Sequence, residues 1–124
     1  RGDTVVFCLA EPYKTIGLNR GYVAKGRTCQ GTDPLIKQVI AIPGDTVQLT
    51  DQSIRVNGVI YGYRTLYADS RHHQLAVYPR GNYVPSHGYW LVGTHSAHSW
   101  DSRYYGAISR SQMLYKLQPL WLIG

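Results

Sequence analysis

One short run does most to limit what this chain can become: Leu35-Ile36-Lys37-Gln38-Val39-Ile40-Ala41-Ile42, closed by Pro43-Gly44-Asp45. It is short, rich in β-branched residues and bounded by turn residues, so it reads as a buried strand. Pro43-Gly44 suits the two central positions of a type II turn, because proline presets φ and glycine accepts a positive φ. Alternation puts Leu35, Lys37, Val39 and Ala41 on one face and Ile36, Gln38, Ile40 and Ile42 on the other. Lys37 is therefore an ammonium set among aliphatic side chains. Such a group must reach water, find a partner or give up its proton. One reading is a lysine near a strand end that extends its head to solvent. The other is a desolvated, neutral amine that acts as a general base.

The rest of the chain is consistent with such a strand. Valine, isoleucine, threonine and 11 tyrosines lie in short segments with glycine and proline between them. That pattern predicts an all-β or mostly β fold, and 124 residues predict one domain. Strands are expected at 3–9, 35–42, 45–50, 53–56, 88–93 and 114–123. Asn57-Gly58, between Ile54–Val56 and Val59–Tyr61, is a strong hairpin signal. Residues 10–33 are expected to form a long N-terminal loop, and residues 62–87 an irregular stretch with a turn at Tyr78–Gly81. Residues 109–113 suit one helical turn capped by Ser109. Pro119 points to an edge or a bulge in the last strand.

Net charge is +6, but the basic residues are scattered. That argues against a nucleic-acid groove and fits a general attraction to anionic membrane surfaces or acidic polymers. No apolar stretch is long enough to span a bilayer. The chain opens at Arg1, directly before a predicted strand, which implies that the natural N-terminus lies further upstream. Cys8 and Cys29 are either two free buried thiols or one disulfide. The even count and the polar, glycine-rich segment between them favour the bridge. If formed, it is worth roughly 3 kcal/mol and places the domain outside the cytosol. His72-His73, His95 and His98 have no acidic or cysteine partner at ligand spacing, so they read as solvated loop residues and no metal is expected. Trp90, Trp100 and Trp121 read as core or rim packing.

A second stretch is dense in hydrogen-bonding groups: Gly93-Thr94-His95-Ser96-Ala97-His98-Ser99-Trp100-Asp101-Ser102-Arg103-Tyr104-Tyr105-Gly106. By itself it is a surface loop with an Asp101–Arg103 contact of little worth. Taken with the lysine run, it resembles the type I signal peptidases, most closely the TraF-like maturation peptidases of conjugative transfer systems. "RGDTVVF" resembles the family's strand after the nucleophile region. "PLIKQVIAIPGDTV" resembles its lysine box, "VNG" its following hairpin, "SWDSRYYGAI" its final box and "PLW" its terminal strand.

The resemblance implies signal-peptidase-like twisted antiparallel sheets forming a partial barrel, and a set of roles. Lys37 would be the general base of a serine–lysine dyad. Ser99 would hydrogen-bond and orient its amine. Asp101 and Arg103 would form a structural ion pair holding the final box against the lysine strand. Leu35 and Val39 would line an aliphatic wall that contacts substrate, a precursor polypeptide lying as an added strand. No cofactor is implied. The Cys8–Cys29 pair suits the TraF-like branch, whose catalytic domain faces the bacterial periplasm from an inner-membrane anchor. Residues 1–124 would be that domain without its anchor. The family's nucleophilic serine lies N-terminal to the strand at 3–7, so the chain as it stands is expected to be inactive. Gly93-Thr94-His95 departs from the Gly-Asp-Asn of ordinary signal peptidases, which favours the TraF-like branch.

These readings predict a serine endopeptidase that processes an exported precursor such as a pilin, by hydrolysis or cyclisation. A non-catalytic assembly scaffold that retains the fold is the alternative. A basic β-domain that binds nucleic acid or an acidic polymer is a third reading, and it leaves Lys37 unexplained.

Overall fold

In the computed structural model, residues 2–61, 66–69, 71–93 and 99–117 are described. In chain order the elements are β1 (Thr4–Phe7), α1 (Tyr13–Arg20), β2 (Lys25–Gly26), β3 (Gly31–Thr32), β4 (Leu35–Ala41), β5 (Val47–Leu49), β6 (Ile54–Val56), β7 (Val59–Tyr61), β8 (Gly81–Tyr83), β9 (Trp90–Val92), α2 (Ser102–Tyr105) and β10 (Met113–Leu117). A 3₁₀ turn at Arg110–Gln112 precedes β10. The fold is mostly β. One antiparallel sheet has the order β10-β1-β4-β9, a second β7-β6-β5-β8, and β2-β3 form a small ribbon.

β4 joins two cores. Leu35 and Val39 pack with Val5, Phe7, Leu91 and Tyr105 in the first. Ile40 and Ala41 pack with Val47, Ile54, Trp90 and Val92 in the second. The expected alternation therefore holds only as far as Val39. Against β9, Val39 pairs with Leu91 and Ala41 with Trp90, so Ile40 is an extra residue in the ladder. Such a bulge turns Ala41 away from the Lys37 face and lets one strand serve both sheets.

Both predicted tight turns are present. Gly44 has φ +94, and Asp45 N–H donates to Ile42 O at 3.1 Å, as a type II turn requires. Asn57 and Gly58 both have positive φ, so β6 and β7 meet in a type I′ hairpin. Ser109 N–H donates to the Gln112 side chain at 2.9 Å, which closes the expected helical turn.

Two expectations need correction. Residues 10–33 are not one loop, since α1 and the β2-β3 ribbon lie within them. α1 buries only Gly17, so it carries no amphipathic stripe for periodicity to detect. Its end was marked all the same: Gly21 takes φ +75 and donates its N–H to the last turn, as a C-terminal capping glycine does. Residues 62–87 are not wholly irregular. Gly81, expected in a turn, opens β8, which pairs with β5. In the last strand, β10 spans Met113–Leu117. Pro119 and Trp121 lie outside the described residues.

The Cys8–Cys29 disulfide is formed. It ties the end of β1 to the ribbon and closes the segment that contains α1.

Candidate active site

The register of β4 places Lys37 between two neighbours. On one side it faces Val5 of β1. On the other, the β4-β9 register of Gln38 with Val92 and Val39 with Leu91 continues to Gly93. Gly93 has no side chain, and the space is used. A Cβ there would lie 1.8 Å from Ser99 Oγ, 2.5 Å from Ser99 Cβ and 3.3 Å from Lys37 Nζ. Ser99 thus sits over Gly93, and Lys37 Nζ donates to its hydroxyl at 2.8 Å. Lys37 is half-buried. Burial lowers its amine below the ordinary lysine range; the Asp101 carboxylate opposes that shift and the Arg103 guanidinium adds to it.

The stretch after Ser99 is not a surface loop. Asp101, Ser102 and Arg103 are each 0% exposed. Asp101 caps α2 by accepting from Arg103 N–H at 3.1 Å. Arg103 answers with two charge-assisted bonds, Nε to Oδ1 at 2.9 Å and Nη2 to Oδ2 at 3.1 Å. Arg103 Nη2 also donates to Ser99 O at 2.8 Å, which fixes the backbone that carries the hydroxyl.

Two further bonds sew the stretch to β9. Gly93 N–H donates to Asp101 Oδ2 at 3.1 Å, and Leu91 N–H donates to Ser102 Oγ at 2.8 Å. The ion pair therefore anchors the stretch to β9, and β9 in turn pairs with the lysine strand.

Lys37, Ser99, Asp101 and Arg103 thus come together. Leu35 and Val39 do so only in part. Leu35 packs against the first core, and Val39 is 3% exposed. Val39 also forms part of the wall of a groove of about 410 Å³, with Val5, Ile42, Tyr89 and Met113. Thr94, His95 and His98 lie outside the described residues. His73 is tied to Asp69, its ring nitrogen 3.1 Å from the carboxylate.

Sequence reasoning missed Gly93 and Ser102. A glycine that closes an apolar strand is a signal of close backbone approach, so Gly93 was legible in principle. Ser102 has no such signal, because its role depends on where β9 lies.

The family model described as signal peptidase, peptidase S26, matches residues 1–121. The chain belongs to the peptidase S26 family.

Relatives fall into two groups. Plasmid transfer protein TraF of Escherichia coli is 31% identical over 127 residues, covering 97% of this chain and 70% of the relative. Conjugal transfer protein TraF of Agrobacterium tumefaciens (strain 15955) is 31% identical over 102 residues, covering 82% of this chain and 57% of its own length. Signal peptidase IB of Staphylococcus aureus (strain Mu50) is 29% identical over 118 residues, with 85% and 61% covered. The chain thus spans between 57% and 70% of the length of these relatives. Among solved structures, signal peptidase I from Enterococcus faecalis V583 is 20% identical, covers 95% of each chain and has a TM-score of 0.49.

Proposed function

We propose that this S26 chain is the catalytic domain of a serine endopeptidase in which Lys37 is the general base. One observation carries the reading: a half-buried lysine amine, lowered by desolvation, held 2.8 Å from Ser99 Oγ. A serine hydroxyl is a weak nucleophile until a base takes its proton, and a neutral amine can take it near neutral pH.

In the proposed cycle, Ser99 orients the Lys37 amine. The nucleophilic hydroxyl comes from a serine N-terminal to β1, where the family resemblance places it. Two bonds support that approach. Gly2 N–H donates to Val39 O at 2.7 Å, and Gln38 Nε2 donates to Gly2 O at 3.2 Å, so the start of the chain runs along the lysine strand. Lys37 takes the hydroxyl proton as the oxygen attacks the scissile carbonyl. The resulting ammonium returns a proton to the departing amine. Water, or an amine of the substrate itself, then resolves the acyl-enzyme.

The substrate is proposed to be an exported precursor, such as a pilin of a conjugation apparatus, bound in extended form through main-chain bonds. The TraF relatives support this choice over a general signal peptidase role. The disulfide supports an oxidising compartment, and a periplasmic domain anchored to the inner membrane satisfies it.

The test uses the intact gene product in membranes together with the pilin precursor of its own transfer system. Lys37→Ala is expected to abolish processing while circular dichroism and thermal melting show a folded protein. Cleavage retained in that variant refutes the mechanism.

A further inference from the structure

The residue after Ser99 is held from a direction that the dyad does not explain. The Trp100 indole lies among three tyrosines, with ring centroids 5.1 Å from Tyr22, 5.3 Å from Tyr105 and 6.5 Å from Tyr13. Tyr13 belongs to α1, and Tyr22 lies two residues past its end. The approach of α1 is close. A Cβ on Gly17 would lie 3.1 Å from Trp100 Cζ3 and 2.8 Å from Val23 Cγ1. Gly17 is a poor residue for a helix interior, and here its missing side chain is what lets the helix reach the indole.

α1 is also held by Tyr13 and Leu18, which pack against the first core, and by an Arg20–Asp69 ion pair at 3.7 Å. Gly17 is its sole buried residue, and Pro12 makes no side-chain capping bond. Beyond the aromatic contacts, Tyr22 OH donates to Asp69 at 2.5 Å and Arg20 Nη1 to Gln74 O at 3.1 Å. The Cys8–Cys29 bridge closes the chain around it. Trp100, one peptide away from Ser99, also lines a cavity of about 220 Å³ between α1 and Leu75.

We propose that Trp100 is a positioning residue: α1, held by the disulfide, presses on its indole and so keeps Ser99 within hydrogen-bond reach of Lys37. Arg103 grips the carbonyl of Ser99, and the tyrosine rings hold the indole of the next residue, Trp100. The segment closed by the disulfide is then part of the machinery that sets the base. The inference rests on the reading of Lys37 and Ser99 given above. Among the described residues, the charged groups that act on Lys37 are Asp101 and Arg103, and the substitutions below leave both unchanged.

The experiment reads the lysine itself. The intact protein is pulsed with acetic anhydride across a pH series, and acetylation of Lys37 is followed by peptide mass spectrometry. Trp100→Ala and the double variant Cys8→Ser/Cys29→Ser are compared with the parent. Gly17→Ala, which leaves both the indole and the bridge intact, serves if either fails to fold. In the parent, Lys37 reacts at lower pH than an ordinary lysine. The variants move its midpoint upward by about one unit, a tenfold loss of neutral amine at a given pH, because a freed Ser99 admits water. An unmoved midpoint in the folded variants overturns the positioning role and leaves the dyad standing. An ordinary lysine midpoint in the parent overturns the dyad itself.

Discussion

Gly93→Ala is the smallest change that reaches the site, and its size can be worked out. The new methyl would sit 1.8 Å from Ser99 Oγ and 2.5 Å from Ser99 Cβ. Ordinary van der Waals contact needs separations near 3.5 Å, so the hydroxyl must retreat by roughly 1.5 Å. That distance breaks the 2.8 Å bond to Lys37. The site cannot yield freely, because Gly93 N–H and the Ser99 carbonyl are both held by the Asp101–Arg103 pair. Overpacking of this kind costs about 1–3 kcal/mol of stability. Misplacing a group at the reacting centre by about 1 Å costs about a hundredfold in rate. The assay is precursor processing by the intact protein, with a thermal melt beside it. We expect a folded protein with a melting point lower by roughly 4 °C or more and processing reduced about a hundredfold. Parental processing together with a parental melt would refute the packing of Ser99 over Gly93.

Three further outcomes follow. Lys37→Met removes a partly desolvated amine and should raise stability at pH values below its lowered folded value, while processing is lost. The sign is set by protons: the unfolded chain keeps a proton that the folded amine binds weakly, so the stability of the parent rises with pH from the lowered folded value up to the ordinary one. The gain in Lys37→Met should therefore shrink above the lowered folded value and vanish near the ordinary lysine value, and a pH-independent gain in urea titrations would contradict the buried amine. In the parent, processing should rise with pH through the same lowered value as the amine loses its proton; a pH–rate profile that falls there would exclude a neutral base. Arg103→Ala leaves Asp101 buried without its counter-charge and should cost about 3–5 kcal/mol, read as a lower midpoint in urea, whereas a loss below about 1 kcal/mol would return the pair to the rank of a surface contact.

Much of the fold was legible because local chemistry decides it. The Asn57-Gly58 hairpin and the Pro43-Gly44 turn need residues that tolerate particular φ values, and those residues announce themselves. The lysine strand stood out because a cation among aliphatics is costly. α1 stayed hidden because its reason for being helical lies outside it, in the indole that it meets and the bridge that closes it. β8 stayed hidden for a similar cause, since a three-residue strand is made by its partner β5.

By itself, then, the sequence determined a mostly β chain, two tight turns, a lysine in an apolar strand and a polar box downstream. Only the tertiary structure decided that the box is buried rather than exposed, that Ser99 Oγ lies 2.8 Å from the amine, and that Gly93 makes room for it. Backbone dihedrals and side-chain polarity act within a few residues and can be read along the chain. The meeting of Lys37 with Ser99 spans 62 positions and depends on strand order, register and one missing Cβ, which no local property encodes.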